Sequence, residues 1–217
     1  MKLTTAALTL DTAAAVSVLE PFGMGNPTPV FGIFECTLEQ ITPLGGGKHL
    51  KLTFSKNATR FQALLFSVSP QKFAFSVGDC LNLAVTLSVN EYQGMEQLSI
   101  QIKELRPFDF VEEQVFSQYA DYHDTLCGGH RSDYELPVRE EAVDIYRYLA
   151  KGAVSKDNVL WKFLRTYGYY KTEACVEAFL QLGLIQVADD LISLNPSAQK
   201  CDLMSAPVFQ VLRKGRE

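Results

Sequence analysis

The sequence predicts an α+β protein in which a small five-stranded β-barrel precedes a helical domain. From about residue 30 to residue 103, apolar and polar side chains alternate with a period of two, which is typical of strands with one buried face. After Pro137 the apolar spacing becomes that of amphipathic helices. This change of period separates two domains.

Composition indicates an ordinary globular chain. Of the 217 residues, 47% are hydrophobic and 21% are charged, which excludes a disordered polymer. No apolar run approaches the roughly 20 residues that a membrane span needs, so no membrane partner is expected. The five cysteines are scattered without a Cys-x-x-Cys pair, which favours reduced thiols and a cytoplasmic location.

The strands are separated by turns rich in Gly, Asn and Ser, with hairpin turns expected at Ser55-Lys56-Asn57 and Asn90–Gly94. A short helix over Asp11–Glu20 precedes them. The predicted strands cover residues 30–41, 48–54, 60–66, 81–89 and 97–103. Five strands with one long gap, between the third and the fourth, favour the oligonucleotide-binding (OB) barrel, whose ligands lie on strands two and three.

Three helices followed by a β-hairpin are predicted after Pro137, an order typical of a winged helix. Ser155 and Thr172 are the expected caps of the second and third helices, and Gly183 ends the third. Residues 1–29 are predicted to be the end of a preceding domain with a connector, and residues 30–110 the OB barrel. Residues 111–136 are the predicted linker, and residues 137–217 the winged-helix-like domain.

The hairpin Lys48–Phe66 lies in a window, residues 40–78, that contains no Asp or Glu, although the whole chain is acidic with 20 Lys and Arg against 25 Asp and Glu. A cationic strand pair in an acidic protein predicts an anion site, for which an extended polyanion is the natural ligand. His49 and Tyr92 are the rings best placed to stack on bases. The candidate nucleic-acid-binding residues are therefore Lys48, His49, Lys51, Lys56, Arg60 and Tyr92. The alternative is a solvated hairpin whose lysines only maintain solubility.

Other motifs favour plain structural interpretations. Gly45–Gly47 precedes a strand, whereas a phosphate-binding P-loop precedes a helix. His123, Cys127 and His130 supply three candidate zinc ligands, but a structural zinc site usually has four. Asp189-Asp190 fits a solvated turn. No catalytic residue and no metal site are predicted.

The connector EPFGMGNPTPVF at Glu20–Phe31, followed by HLKLTF and QLSIQIKELRPFDF, resembles the RecJ family of single-strand-specific 5′→3′ exonucleases. In that family this connector joins the nuclease core to an OB domain. The tail LGLIQVADDLISLNP is similar to the extra C-terminal module of RecJ proteins from Gram-positive-type bacteria. The resemblance implies roles in DNA repair and recombination, with single-stranded DNA as partner.

The resemblance also implies that the chain is the C-terminal part of a longer enzyme. The family's Asp-His-His motif and acidic metal ligands have no counterpart here. The Mn or Mg of the family is therefore implied for an absent nuclease core, with no cofactor in this part. Two functions remain open: binding of single strands, or docking of a protein such as single-stranded-DNA-binding protein with the barrel as scaffold.

Overall fold

The computed structural model describes residues 1–128 and 132–214, with the side chain of Tyr92 excepted. The chain divides into two compact units. The first comprises Met1–Pro70 and Ser76–Phe110, and the second comprises Gln71–Phe75 and Val111–Glu217. No helix in the described ranges is both long and apolar enough to cross a membrane.

The first unit is a closed five-stranded barrel. Its strands are β1 (Phe31–Leu44), β2 (His49–Lys56), β3 (Thr59–Leu65), β4 (Cys80–Tyr92) and β5 (Met95–Pro107). The order around the barrel is β1-β2-β3-β5-β4; β3 and β5 are parallel, and the other pairs are antiparallel. The long β1 closes the barrel because its later residues pair with β2 and its earlier residues with β4. The predicted α+β fold with an OB-type barrel is confirmed.

The barrel core consists of the inward residues of the alternating pattern. Side chains that are almost fully excluded from solvent include Ile33, Leu38, Leu50, Leu52, Phe54, Leu81 and Val85. Burial of each such side chain is worth about 1.5–3 kcal/mol, which fixes the register because a one-residue slip would expose the whole set.

Two-residue turns with positive φ join β2 to β3 and β4 to β5. Asn57 and Ala58 have φ values of 48° and 62°, and Gln93 and Gly94 have 53° and 75°. Such turns match the right-handed twist of the flanking strands. The turn expected at Ser55-Lys56-Asn57 is displaced, because Ser55 and Lys56 still pair with β3.

A short helix, α1 (Leu10–Ser17), precedes the barrel and belongs to the same unit. Thr9 caps it, since its hydroxyl accepts from the Thr12 N–H at 3.2 Å. Ala13 and Val16 are buried, and Lys2 forms an isolated bridge with Gly32 of β1. Residues 1–29, expected as the end of another domain, thus pack within this unit.

Among its described residues, the second unit has four α-helices and a three-stranded sheet. The helices are α2 (Glu112–Leu126), α3 (Arg139–Leu149), α4 (Lys156–Gln181) and α5 (Pro207–Lys214), and the strands are β6 (Val154–Ser155), β7 (Ile185–Ala188) and β8 (Leu191–Leu194). The sheet order is β6-β8-β7. Ser155 caps α4 as expected, whereas α2, β6 and α5 were not anticipated. The winged-helix description stays a prediction.

Residues 111–136, expected as a linker, contain α2. Tyr122 is only 2% exposed and packs with Tyr170, Phe209 and Leu212, which explains why this polar segment is helical. Its apolar stripe is too short to be recognised in the sequence, because few of its residues are buried.

The long helix α4 is interrupted at Gly168, which has φ 77° and ψ 173°. Gln118 of α2 provides a hydrogen-bond partner at this interruption, since its Oε1 accepts from the Tyr170 N–H at 3.1 Å. Thr172, the expected cap, instead donates its hydroxyl to the Gly168 carbonyl at 2.7 Å. At the other end, Gly183 closes α4 in a Schellman motif, with Leu184 N–H donating to Phe179 O, as the sequence predicted.

Candidate nucleic-acid interface

Five of the predicted site residues, Lys48, His49, Lys51, Lys56 and Arg60, lie at the two ends of the β2–β3 hairpin. Outward side chains alternate along β2, with His49 near its start and Lys51 one pleat further. Lys51 is paired with Leu64 of β3, and Ser55 with Arg60. Arg60 lies beside Ser55 of β2, so the distance from His49 to Arg60 along the strand direction is about 20 Å, at roughly 3.3 Å per residue.

The cations beside the hairpin turn are neutralised by acids of β1. Arg60 Nε lies 2.6 Å from Glu39 Oε2, and Lys56 Nζ lies 3.6 Å from Glu35 Oε2. Lys56 also donates to the Phe34 carbonyl and has the inward parity of the strand. An open polar cavity of about 510 Å³ at this end is lined by both pairs. Because each cation has a partner, this end offers little net attraction to phosphate.

The opposite end of the hairpin keeps its positive charge. Lys48 is exposed and Lys51 is half-buried, and neither has an acidic partner among the ion pairs of the described residues. The cross-strand partners of Lys51 are uncharged, namely Thr42 of β1 and Leu64 of β3. A local excess of two cations is therefore left on the surface beside the Gly45–Gly47 turn.

An aromatic pair lies at the same end. The His49 and Phe66 ring centroids are 5.2 Å apart with the rings inclined at 69°. His49 Nδ1 accepts from the Ser67 N–H at 2.9 Å, which fixes the imidazole. Phe66, 44% exposed, was not among the predicted site residues. Its parity with Arg60, Gln62 and Leu64 is the signal in the sequence that could have identified it as solvent-facing.

Tyr92, the other predicted ring, ends β4 opposite Met95 at the Gln93-Gly94 turn. Its side chain lies outside the described part of the structure. The two turns that flank the outer surface of β2 and β3 in an OB barrel are therefore present, as expected.

The remaining motifs of the sequence have structural outcomes too. Gly45–Gly47 forms a single 3₁₀ turn that leads into a strand, which excludes a P-loop. His130, one of the three candidate zinc ligands considered in the sequence, falls outside the described residues. Within the described ranges, no group of three or more His, Cys, Asp or Glu side chains could hold a metal ion.

This protein has the features of the class of OB-type ligand-binding barrels. These are the strand order, the parallel pairing of β3 with β5 and a cationic, aromatic end of β2. Within that class, residues 1–104 match the family model described as the RecJ OB domain. The expected resemblance to an OB-containing part of RecJ is confirmed.

Individual relatives match about half of the chain. The single-stranded-DNA-specific exonuclease RecJ of Bacillus subtilis (strain 168) is 24% identical over 98 residues, which are 45% of this chain and 12% of that protein. RecJ from Thermus thermophilus in complex with Mn²⁺ is 25% identical with a TM-score of 0.38, covering 50% of this chain and 15% of that one. Its complex with Mg²⁺ gives 22% identity and a TM-score of 0.39, over 54% and 19%. The chain thus spans less than a fifth of these relatives.

Proposed function

We propose that the barrel binds single-stranded DNA on the outer surface of β2 and β3, as the binding module of a RecJ-like 5′→3′ exonuclease. The observation that carries this proposal is the end of the hairpin where Lys48 and Lys51 keep their charge beside the exposed ring of Phe66.

This combination suits an unpaired strand. Positive side chains neutralise phosphates irrespective of sequence, and release of counterions makes such binding salt-dependent. Exposed rings add stacking, which tolerates every base because each has a π-face. With only these two lysines at this end of the hairpin, the binding is weak, tolerant of sequence and sensitive to salt.

A curated relative and the properties of OB barrels support the same function. The Bacillus subtilis protein is described as specific for single-stranded DNA, and it is 24% identical to this chain over 98 residues. OB barrels as a class bind oligonucleotides on strands two and three. In a RecJ-like enzyme, this face would hold the DNA single strand. A separate nuclease domain, with Mn or Mg, would hydrolyse the end of that strand during repair and recombination.

The proposal is tested by titrating the 217-residue chain into labelled 20-nucleotide oligo-dT at about 50 and 200 mM salt. With two or three phosphate contacts, affinity should fall by roughly 5- to 20-fold between these concentrations. A duplex of the same length is the matched control and should bind more weakly, because its bases are stacked inside. Absence of binding to oligo-dT at the lower salt would overturn the proposal.

A second candidate function concerns the second unit, which would dock a protein such as single-stranded-DNA-binding protein. It is favoured by Phe116 and Tyr119, one turn apart on α2, which are 62% and 48% exposed. Glu112 and Glu113 in the first turn of the same helix oppose nucleic acid there. Titration of purified single-stranded-DNA-binding protein should show binding that a Phe116→Ser/Tyr119→Ser variant loses; equal binding by the variant would contradict this assignment.

The cytoplasm is the compartment we propose for this function. All five cysteines are free thiols, and Cys127 and Cys201 are exposed. Exposed free thiols are stable in a reducing compartment and are unusual in an oxidising one.

A further inference from the structure

A large aromatic ring lies exposed on the one part of the β2–β3 hairpin that keeps a local positive charge. Phe66 directly follows β3, and nearly half of it is open to solvent. Lys51 lies on the adjacent strand opposite Leu64, two residues before Phe66. An exposed Phe alone is common, but one beside two lysines is the arrangement of a stacking platform for nucleic acid.

The platform is held in place before any ligand arrives. The Ser67 N–H donates to His49 Nδ1, so the proton of the neutral imidazole lies on Nε2. A side chain at Gly45 would approach His49 Cδ2 at 3.2 Å, so the turn closes tightly over the imidazole. The fixed imidazole packs against Phe66, which limits the rotamers of that ring. A ring that is already ordered loses less conformational entropy on binding.

The charges indicate what occupies this surface. Lys48 precedes His49 in the chain, and Lys51 has the same outward parity as His49. A ligand that contacts Lys48, Lys51 and the His49–Phe66 ring pair needs a flat apolar group next to negative charges. A nucleotide of a single strand has both, whereas a polyphosphate would engage the lysines and leave Phe66 in water.

We propose that Phe66, positioned by His49, stacks on one unpaired base while Lys48 and Lys51 contact the neighbouring phosphates. The surface then recognises the bases of a single strand and not its charge alone. This inference rests on the proposed function and deepens it.

The experiment compares two probes that carry equal charge, with the 217-residue chain. One is labelled 12-nucleotide oligo-dT, and the other is an abasic oligomer with the same number of phosphates. Stacking of one base predicts that wild type binds oligo-dT about 5- to 150-fold more tightly than the abasic probe. Phe66→Leu, which keeps an apolar side chain, should remove most of that preference and leave abasic binding unchanged.

Two further variants separate stacking from structural effects. Phe66→Trp should restore the preference for bases, and its added fluorescence should be quenched by oligo-dT. Phe116→Leu changes a more exposed ring, on α2, and should leave both affinities unchanged. Thermal unfolding of each variant verifies the fold.

Each alternative result has a distinct meaning. If wild type binds both probes equally, the surface recognises phosphates only, and the stacking inference is overturned while the proposed function stands. If Phe66→Leu weakens both probes equally, Phe66 supports the structure only, and the inference is likewise overturned. If wild type binds neither probe, the proposed function and this inference fail together.

Discussion

Arg60 Nε lies 2.6 Å from Glu39 Oε2, although residues 40–78 contain no acidic residue at all. Glu39 is the extra residue of a bulge in β1, between Leu38 and Gln40, and bulges redirect side chains. A window without carboxylates along the chain is therefore not a region without carboxylates in space. The positive charge that remains lies around Lys48 and Lys51.

This division of charge predicts different effects for two substitutions. Lys51→Gln should flatten the slope of log affinity against log salt by about 0.7, the value for one lost phosphate contact with a single strand. The double variant Glu39→Gln/Arg60→Gln removes a pair without changing net charge, and it should leave the slope unchanged. Equal flattening of the slope in both variants would mean that the DNA strand contacts the Arg60 end of the hairpin, which would contradict this division of charge.

Gly168 should be essential to the stability of the second unit. Its φ of 77° with ψ of 173° is a conformation that only glycine adopts readily, and a Cβ would lie 2.4 Å from Gln118 Oε1. Gly168→Ala should lower the free energy of unfolding by about 1–3 kcal/mol. Trp161, the single tryptophan, lies in the same unit and reports the transition by fluorescence.

Gly23→Ala is the matched control for this substitution, because no atom lies within 4 Å of its added methyl group and its φ is not positive. That variant should unfold as wild type does. A Gly168→Ala protein with unchanged stability would mean that α4 is continuous through residue 168.

The ion pair between Lys156 and Glu173 connects the two segments of α4. The Glu173 side chain is only 7% exposed, and its Oε2 has no hydrogen-bond partner. Lys156→Met should therefore destabilise the second unit by about 3 kcal/mol, since it leaves a buried carboxylate uncompensated. The double variant Lys156→Met/Glu173→Leu should regain most of this loss in urea unfolding; additive losses would disprove the coupling.

The second unit should lose stability at alkaline pH. Burial raises the pKa of the Cys175 thiol from 9.0 to about 12; Glu141 adds to this effect and Lys171 opposes it. The unfolded thiol ionises at lower pH, so this stabilisation is complete below about pH 9 and is lost as pH rises towards 12. Between about pH 9 and 10.5, Cys175→Val should make the fall in unfolding free energy shallower by about 1.4 kcal/mol per pH unit.

The exposed Cys201 supplies the control for this measurement. Cys201→Val should keep the steepness of wild type across the same pH range. Identical slopes in all three proteins would show that Cys175 does not carry the effect.

Most of the barrel could be predicted because burial imposes a period of two that is visible in the sequence. The pattern from Leu50 to Phe54 and that from Leu81 to Val89 indicated their strands directly. The pairing of Arg60 with Glu39 could not be predicted, because it depends on a bulge in a neighbouring strand. Helix α2 escaped recognition because it buries few side chains, chiefly Tyr122 and Thr125.

The site was predicted in part for similar reasons. Lys48, His49 and Lys51 were recognised by charge and strand parity, and the structure brings them together at one end of the hairpin. Phe66 was assigned to the strand as an ordinary apolar residue, since its exposure depends on where β3 ends. The contact between the Ser67 N–H and His49 Nδ1 depends on a positive φ at Ser67 that no pattern signals.

The proposed position of the DNA strand, at the end of the hairpin that carries Lys48 and Phe66, can be mapped residue by residue. Backbone amide NMR of the ¹⁵N-labelled chain, titrated with 12-nucleotide oligo-dT at low salt, tests it most directly. We expect shifts concentrated at residues 45–51 and 64–67, with residues 56–60 and helix α2 unmoved. Shifts centred on residues 56–60, or on the second unit alone, would contradict this position.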